Sequence, residues 1–545
     1  MRSDSDGTLH WALPVALALI AAIVFSPSLF NGFVEWDDQV LFLENTNYRG
    51  LGWTQIRWMF TTTLWGHWVP VTWLTHGLDY VLWGMNPMGY HGLNVLLHAI
   101  NTALFYLVAL RLLVAAGFTG RTLTASATTA ALFFGLHPLR AESVAWATER
   151  RDVLAGLFFL LTVILYLDAL NAEAARRTWR LRASIVCYVL AFLSKSTVMT
   201  LPLVLVLFDF YPLRRLELRW ALWREKLPYF LIAFAGGAIA WYAQKGLGFN
   251  PARPLVAAYD LWIYVWRTAV PFKLSPLYEL PARISITDPR FLMPLIFVVA
   301  VPLLLIVLTR WWPAGLALWL YYALVIAPVS GVVSTGIQVA ADRYTYLACL
   351  GWALLVGSGV GLVLRARARG QLASRLVHLA LGVASLWLVG LAVLTWQQVQ
   401  IWQSTETLWS FAVDAEPTCS LCQGNVGAAL VNQGHLALAL ERFERARTLR
   451  PDMLIHHKHV GLTLLALGRP AEAVEPLRFV LEQSPKDLEA MNALGAAVAT
   501  LGQLDEARRL FQRAIQLKPD DPMVRSNLGR LDSQSPKTAV SVRTR

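Results

Sequence analysis

Apolar runs long enough to cross a bilayer as helices recur along the first 400 residues, near 11–30, 92–114, 123–137, 151–170, 181–194, 196–211, 228–244, 291–309, 314–331, 344–364 and 376–396. Short polar stretches separate them. The segment at 259–274 carries Asp260, Arg267 and Lys273, so it reads as a membrane-associated loop rather than a span. The first run is followed by no small-residue cleavage site, which marks it as a retained signal anchor. The pattern predicts an all-α chain whose residues 1–400 form a polytopic membrane bundle of about eleven helices.

Beyond about residue 420 the pattern changes to that of soluble helices with an internal repeat. Gly427, Gly461, Gly495 and Gly529 stand 34 residues apart, as do Gly434, Gly468 and Gly502, and Pro451, Pro485 and Pro519. This period and layout resemble tetratricopeptide repeats, which stack into an α-solenoid. The boundaries read as a linker at 401–419, repeats at 420–530 and a disordered tail at 531–545. The concave face of such a solenoid predicts a protein or peptide partner, with a stabilising appendage as the alternative. Cys419 and Cys422 form a CxxC before the first repeat. A disulfide or two buried small residues suits it better than a metal, and no metal or other cofactor is expected.

Composition agrees with a membrane class: the chain is 56% hydrophobic and 15% charged, with a mean hydropathy of +0.48. The net charge of +12 sits in short clusters between apolar runs, which excludes a nucleic-acid-binding reading. Clusters at Arg176–Arg182, Arg214–Lys226 and Arg365–Arg375 are cytoplasmic by the positive-inside rule. Counting spans outward then puts the N-terminus inside. Residues 31–91, 138–150, the turn near 195, 245–290, 332–343 and the repeats fall on the far side.

Those far-side segments hold the unusual polar residues. Glu35, Asp37 and Asp38 follow the first span; His76 lies further along that loop; His137, Arg140, Glu142, Glu149, Arg150, Arg151 and Asp152 crowd one hairpin; Lys195, Asp342 and Arg343 stand at other span ends. Snorkelling and local pairing are the ordinary explanation. A consistent chemistry also exists. An enzyme on the far side meets lipid-linked sugar phosphates rather than nucleotide sugars. It needs a carboxylate base for the acceptor hydroxyl and cations for the leaving phosphate. Asp38 or Asp37 supplies the base, with Asp38 favoured. Arg343, Lys195, Arg150 and Arg151 supply the phosphate cations, and Glu35, His76, His137, Glu142 and Asp342 the supporting polar groups.

Several motifs carry a family likeness: EWDD at 35–38, GHWVPVTWLTHGLDY at 66–80, NPMGYHGLNVLLH at 86–98, HPLRAESVAWATERRDVLAG at 137–156, LSKSTVMTLPLVLVLFDFYPL at 193–213 and ADRYTYL at 341–347. With the repeats, they resemble the transmembrane and tetratricopeptide-repeat O-mannosyltransferases, members of the C-type glycosyltransferase superfamily. The resemblance implies inverting transfer of mannose from a polyprenyl-phosphate donor to Ser/Thr of exported proteins. It also puts the base on a first-loop aspartate, here Asp37 or Asp38. Val69 stands where the eukaryotic branch tends to have arginine, which points to a bacterial-type member in the inner membrane with periplasmic repeats. In a eukaryote the membrane would be that of the ER, with luminal repeats. Transfer to a lipid or glycan, or a non-catalytic repeat-bearing scaffold, are the alternatives.

Overall fold

The computed structural model describes residues 5–216, 220–243, 252–330 and 336–534. Their regular structure is helical apart from one short antiparallel pairing of Tyr278–Glu279 with Gln338–Ala340. The chain divides into two compact units, Met1–Leu408 and Trp409–Arg545.

In the first unit a helix stands at every apolar run read from the sequence, from Ser5–Phe25 and Pro87–Ala115 through to Thr345–Ala368 and Ser374–Gln400. Among the described residues, six helices are long and apolar enough to cross a membrane, and Ser196–Phe210 and Pro313–Val329 are shorter apolar ones. The chain is a multi-pass membrane protein. Local chemistry fixes several starts. Asn86 accepts from the Met88 N–H at 3.1 Å and Asp288 from the Arg290 N–H at 2.9 Å, each just before a proline at the first helical position.

The segment expected to be a loop at 259–274 instead opens in a helix, Arg253–Ala269. Val256, Asp260, Ile263 and Tyr264 are all buried at helical spacing, so one face packs inward and carries the aspartate with it. The first far-side loop also holds helices, Trp53–Thr61 and Pro70–Trp83. They enclose an aromatic core of Phe42, Tyr48, Trp73 and Tyr90.

Close crossing needs small residues. A Cβ on Gly357 would lie 2.2 Å from the Ser126 carbonyl oxygen, so the helices Thr345–Ala368 and Gly120–Gly135 meet backbone to backbone. At the end of the bundle that holds the basic clusters, several of those charges are paired internally. Arg215 binds Asp209 at 2.7 Å, Arg177 binds Glu225 at 2.9 Å, and Lys226 pairs with Asp209.

The second unit has its own apolar core. Its helices come in pairs: Ser420–Asn432 with Leu436–Leu449, Leu454–Ala466 with Pro470–Gln483, and Leu488–Thr500 with Leu504–Leu517, followed by Pro522–Gln534. The periodic glycines have two uses. Gly434, Gly468 and Gly502 take positive φ of 80°, 71° and 82° just beyond the first helix of each pair. Gly461 instead makes room, since a Cβ there would lie 2.5 Å from the Leu477 side chain. Most of the segment read as a linker is itself helical, with Thr405–Ala415 one helix. Residues 531–534, read as part of the tail, close the last helix, and 535–545 lie outside the described residues. Cys419 and Cys422 form a disulfide at the start of the first repeat helix.

The crossing at Gly461 is open to test. Gly461→Val should destabilise the repeat unit by about 1–3 kcal/mol through overpacking against Leu477. Hydrogen exchange on the full chain should show the loss in residues 454–483 first, with little change in the membrane helices.

Candidate active site

The site lies where the chain leaves its first helix. Asn31 donates from Nδ2 to the Val399 carbonyl at 3.2 Å, and the Gly32 N–H donates to the Gln403 carbonyl at 3.0 Å, which ties the loop to the end of Ser374–Gln400. Asp38 then locks it. The Asp38 carboxylate is fully buried and accepts from the Val34 N–H at 3.1 Å, the Thr148 N–H at 3.2 Å and the Thr148 hydroxyl at 2.5 Å. Burial pushes this carboxyl up to about 7 even though those hydrogen bonds favour its charged form. Its geometry is that of a clasp between two loops.

Asp37, one residue earlier, faces elsewhere. It is partly buried and lines a small cavity with Trp65, His67, His76, Thr148 and Arg151. Burial raises its carboxyl, while Arg151 and Arg343 pull it down. Burial drives the His76 ring down to about 4, so it is neutral at neutral pH. Trp65 adopts φ 51°, a left-handed conformation that a bulky residue rarely holds.

The other half of the site is built around Glu149, whose side chain has no exposure. It pairs with Arg151, with Lys195 Nζ at 3.2 Å and with Arg343 Nε at 3.3 Å. Lys195 also binds Asp152 at 2.6 Å, and Arg343 pairs with Glu142, which accepts the Arg343 N–H at 2.8 Å as well. Burial raises the Glu142 carboxyl, with Arg343 opposing. Asp152, Phe159, Lys195, Arg343 and Tyr344 line a second cavity. Arg151 lines the cavity that holds Asp37, and Glu149 pairs both with it and with Lys195 and Arg343 of the second cavity.

The structure therefore brings together Asp37, Arg151, Lys195, Arg343, Glu142 and, at the cavity wall, His76. It sets the other sequence-selected residues elsewhere. Arg150 is fully buried and turned away, binding Asp79 at 2.7 Å, the Tyr90 carbonyl at 2.7 Å and Asn94. Adjacent residues on a helix point about 100° apart, so Arg150 and Arg151 cannot share one face. His137 donates from Nε2 to the Thr268 carbonyl at 3.0 Å and accepts the Leu139 N–H at 3.2 Å, a structural turn. Asp342 accepts from the Tyr278 hydroxyl at 3.2 Å. Glu35 is exposed, and its backbone N–H donates to the Thr405 hydroxyl at 2.8 Å. Sequence reasoning passed over Glu149, His67 and Trp65 as functional residues. Only the placement of Glu149 among arginines hinted at its role. Among the described residues, no group of three or more His, Cys, Asp or Glu side chains is placed to hold a metal ion.

The chain is 24% identical to the protein O-mannosyl-transferase TMTC3 of Homo sapiens over 92% of its own length and 60% of that protein's. It is 24% identical to Tmtc3 of Drosophila melanogaster over 86% of its length and 59% of that protein's. It is 30% identical to TMTC2 of Homo sapiens over 34% of its length and 23% of that protein's. The chain resembles the TMTC protein O-mannosyl-transferases along most of its length. It spans about 60% of the length of TMTC3. Residues 427–487 and 461–522 match the tetratricopeptide repeat family model, so the second unit carries such repeats. Alignments to solved structures are weak. ArnT from Cupriavidus metallidurans bound to undecaprenyl phosphate aligns at a TM-score of 0.33 and 17% identity, covering 85% of this chain and 79% of that one. MamA from Desulfovibrio magneticus aligns at 0.23 and 24%, covering 24% and 73%. Neither value is high enough to argue from.

The Asp38 clasp has a pH signature. The folded carboxyl keeps its proton to about 7, whereas the unfolded one releases it near 3.8, so the folded state binds the extra proton across that window. Asp38's stabilising share is then complete below about 4 and is lost as pH rises to about 7. Thermal unfolding of the detergent-solubilised protein from pH 4 to 8 should fall more steeply for the wild type than for Asp38→Asn.

Proposed function

We propose that the chain is an integral-membrane glycosyltransferase that moves a sugar from a polyprenyl-phosphate donor to a hydroxyl acceptor with inversion. One observation carries this reading: Asp37 and the cations Arg151, Lys195 and Arg343 line two cavities, and the three cations share Glu149 as a counterion. A base and a set of phosphate-binding cations in one site are what a direct displacement needs.

In the step proposed, the Asp37 carboxylate takes the proton from the acceptor O–H as that oxygen bonds to the anomeric carbon. The bond from the anomeric carbon to the phosphate oxygen breaks, and its electron pair leaves with the lipid phosphate. Arg343, Lys195 and Arg151 stabilise the charge that grows there. The base moves from Asp38, favoured on sequence, to Asp37, because Asp38's oxygens are committed to Val34 and Thr148 while Asp37 lines a cavity. Arg150 leaves the phosphate set because it is sealed against Asp79.

Similarity to protein O-mannosyl-transferases supports mannose as the sugar and Ser/Thr hydroxyls of exported proteins as acceptors. The repeats, on the same side of the membrane as the site by the charge of the opposite loops, are proposed to present that acceptor. In a bacterium this is the periplasmic face of the inner membrane, in a eukaryote the ER lumen.

Asp37→Asn should lower transfer of labelled mannose from polyprenyl-phosphate mannose to membrane or exported proteins by at least about 100-fold, with unchanged thermal unfolding. Asp38→Asn should lower activity and stability together. Full transfer by Asp37→Asn would end the catalytic reading, and label found only in lipid or glycan would redirect the acceptor. A reporter fused after residue 410 should read on the far side; a cytoplasmic signal would separate the repeats from the site.

A further inference from the structure

Three cations from separate segments repel one another if they converge on an empty pocket. Arg151, Lys195 and Arg343 converge because Glu149 stands among them, within 3.2 Å of Lys195 and 3.3 Å of Arg343 and paired with Arg151. Exposure separates their parts. The Glu149 side chain is 0% exposed, whereas Lys195 and Arg343 are 10% and 9% exposed and line the second cavity. Lys195 and Arg343 thus look into that cavity and Arg151 into the one that holds Asp37, while the Glu149 carboxylate is buried behind them.

We propose that Glu149 is a displaceable counterion, a positioning residue that holds the three cations for the donor phosphate and competes for them when the product leaves. The inference rests on the reading of the site as a polyprenyl-phosphate-sugar transferase. Its chemistry follows from the charge change in that reaction. The donor phosphate is a diester with one negative charge, and transfer leaves a monoester whose second proton dissociates with a pKa of about 6. A cradle made of cations alone would hold this more highly charged product more tightly than the donor, and turnover would stall on release. Glu142, Glu149 and Asp152 instead pair with the three cations, so none of them stands uncompensated when the site is empty. An arriving phosphate takes over contacts that Glu149 makes, and Glu149 reclaims them as the product departs.

The test uses the full chain in lipid nanodiscs, titrated with undecaprenyl phosphate as the monoester and undecaprenyl-phosphate mannose as the diester. Glu149→Gln should bind undecaprenyl phosphate at least about tenfold tighter than wild type, the scale of close charge-pair couplings. It should tighten the diester less and show slower steady-state turnover through product inhibition. Glu149→Asp keeps the charge but draws it back by one methylene, so its ratio of monoester to diester affinity should fall between the two. That variant serves alone if Glu149→Gln does not fold. A purely structural role would not move this ratio. An unchanged or lowered ratio in the variants, with wild-type binding intact, overturns the counterion inference alone. Failure of the wild type to bind either lipid overturns the transferase reading, and this inference with it.

Discussion

Each charge at this end of the bundle depends on its counterion, because the helices around it leave little water to solvate an isolated ion. Glu149 is where that constraint is most concentrated. Remove its charge, and Arg151, Lys195 and Arg343 lose the one group that all three share. A buried carboxylate with three cationic partners is poor evidence for stability by itself, since desolvation opposes the Coulombic gain. It is better evidence for geometry. The three cations come from the start of Arg150–Leu170, from the residue after Ala174–Ser194, and from the turn before Thr345–Ala368. Their pairing to one group fixes how those segments meet.

The first loop joins this arrangement through hydrogen bonds rather than an ion pair. Asp38 reaches the turn preceding Glu149 through Thr148, and burial holds its carboxyl near 7. With the backbone of Asp38 pinned, Asp37 is aimed toward the cavity that Arg151 also lines. Two adjacent aspartates thus do different work because one satisfies backbone N–H groups and the other faces open space. Their chemistry is identical; their surroundings are not.

Much of this was legible in the sequence, for physical reasons. Apolar runs of bilayer length announce helices whatever they pack against, and a 34-residue period announces paired helices. The rarity of ions at membrane depth singled out Lys195 and Arg343. What the sequence did not carry was pairing across long separations. Asp38 is committed to Thr148, 110 residues away, and Arg343 to Glu142, 201 away. Arg150 and Arg151 are adjacent, and only the helix turn between them sends one to Asp79 and the other to Glu149. The charges in 259–274 suggested a loop because charge was weighed without period, and the buried face at Asp260 is a matter of period.

The cations of this site can be compensated by local carboxylates or by an anionic ligand. The two answers are compatible. Glu142, Glu149 and Asp152 neutralise the cations in the structure described here, so no ligand is needed to hold the fold together. A site whose cations are already paired can exchange one anion for another without passing through an exposed, uncompensated state. That property suits a carrier phosphate that must both arrive and leave. It also explains why Glu149 sits behind the cations, 0% exposed, with Lys195 and Arg343 facing the cavity. The reverse order would present a negative wall to an anionic substrate and exclude it.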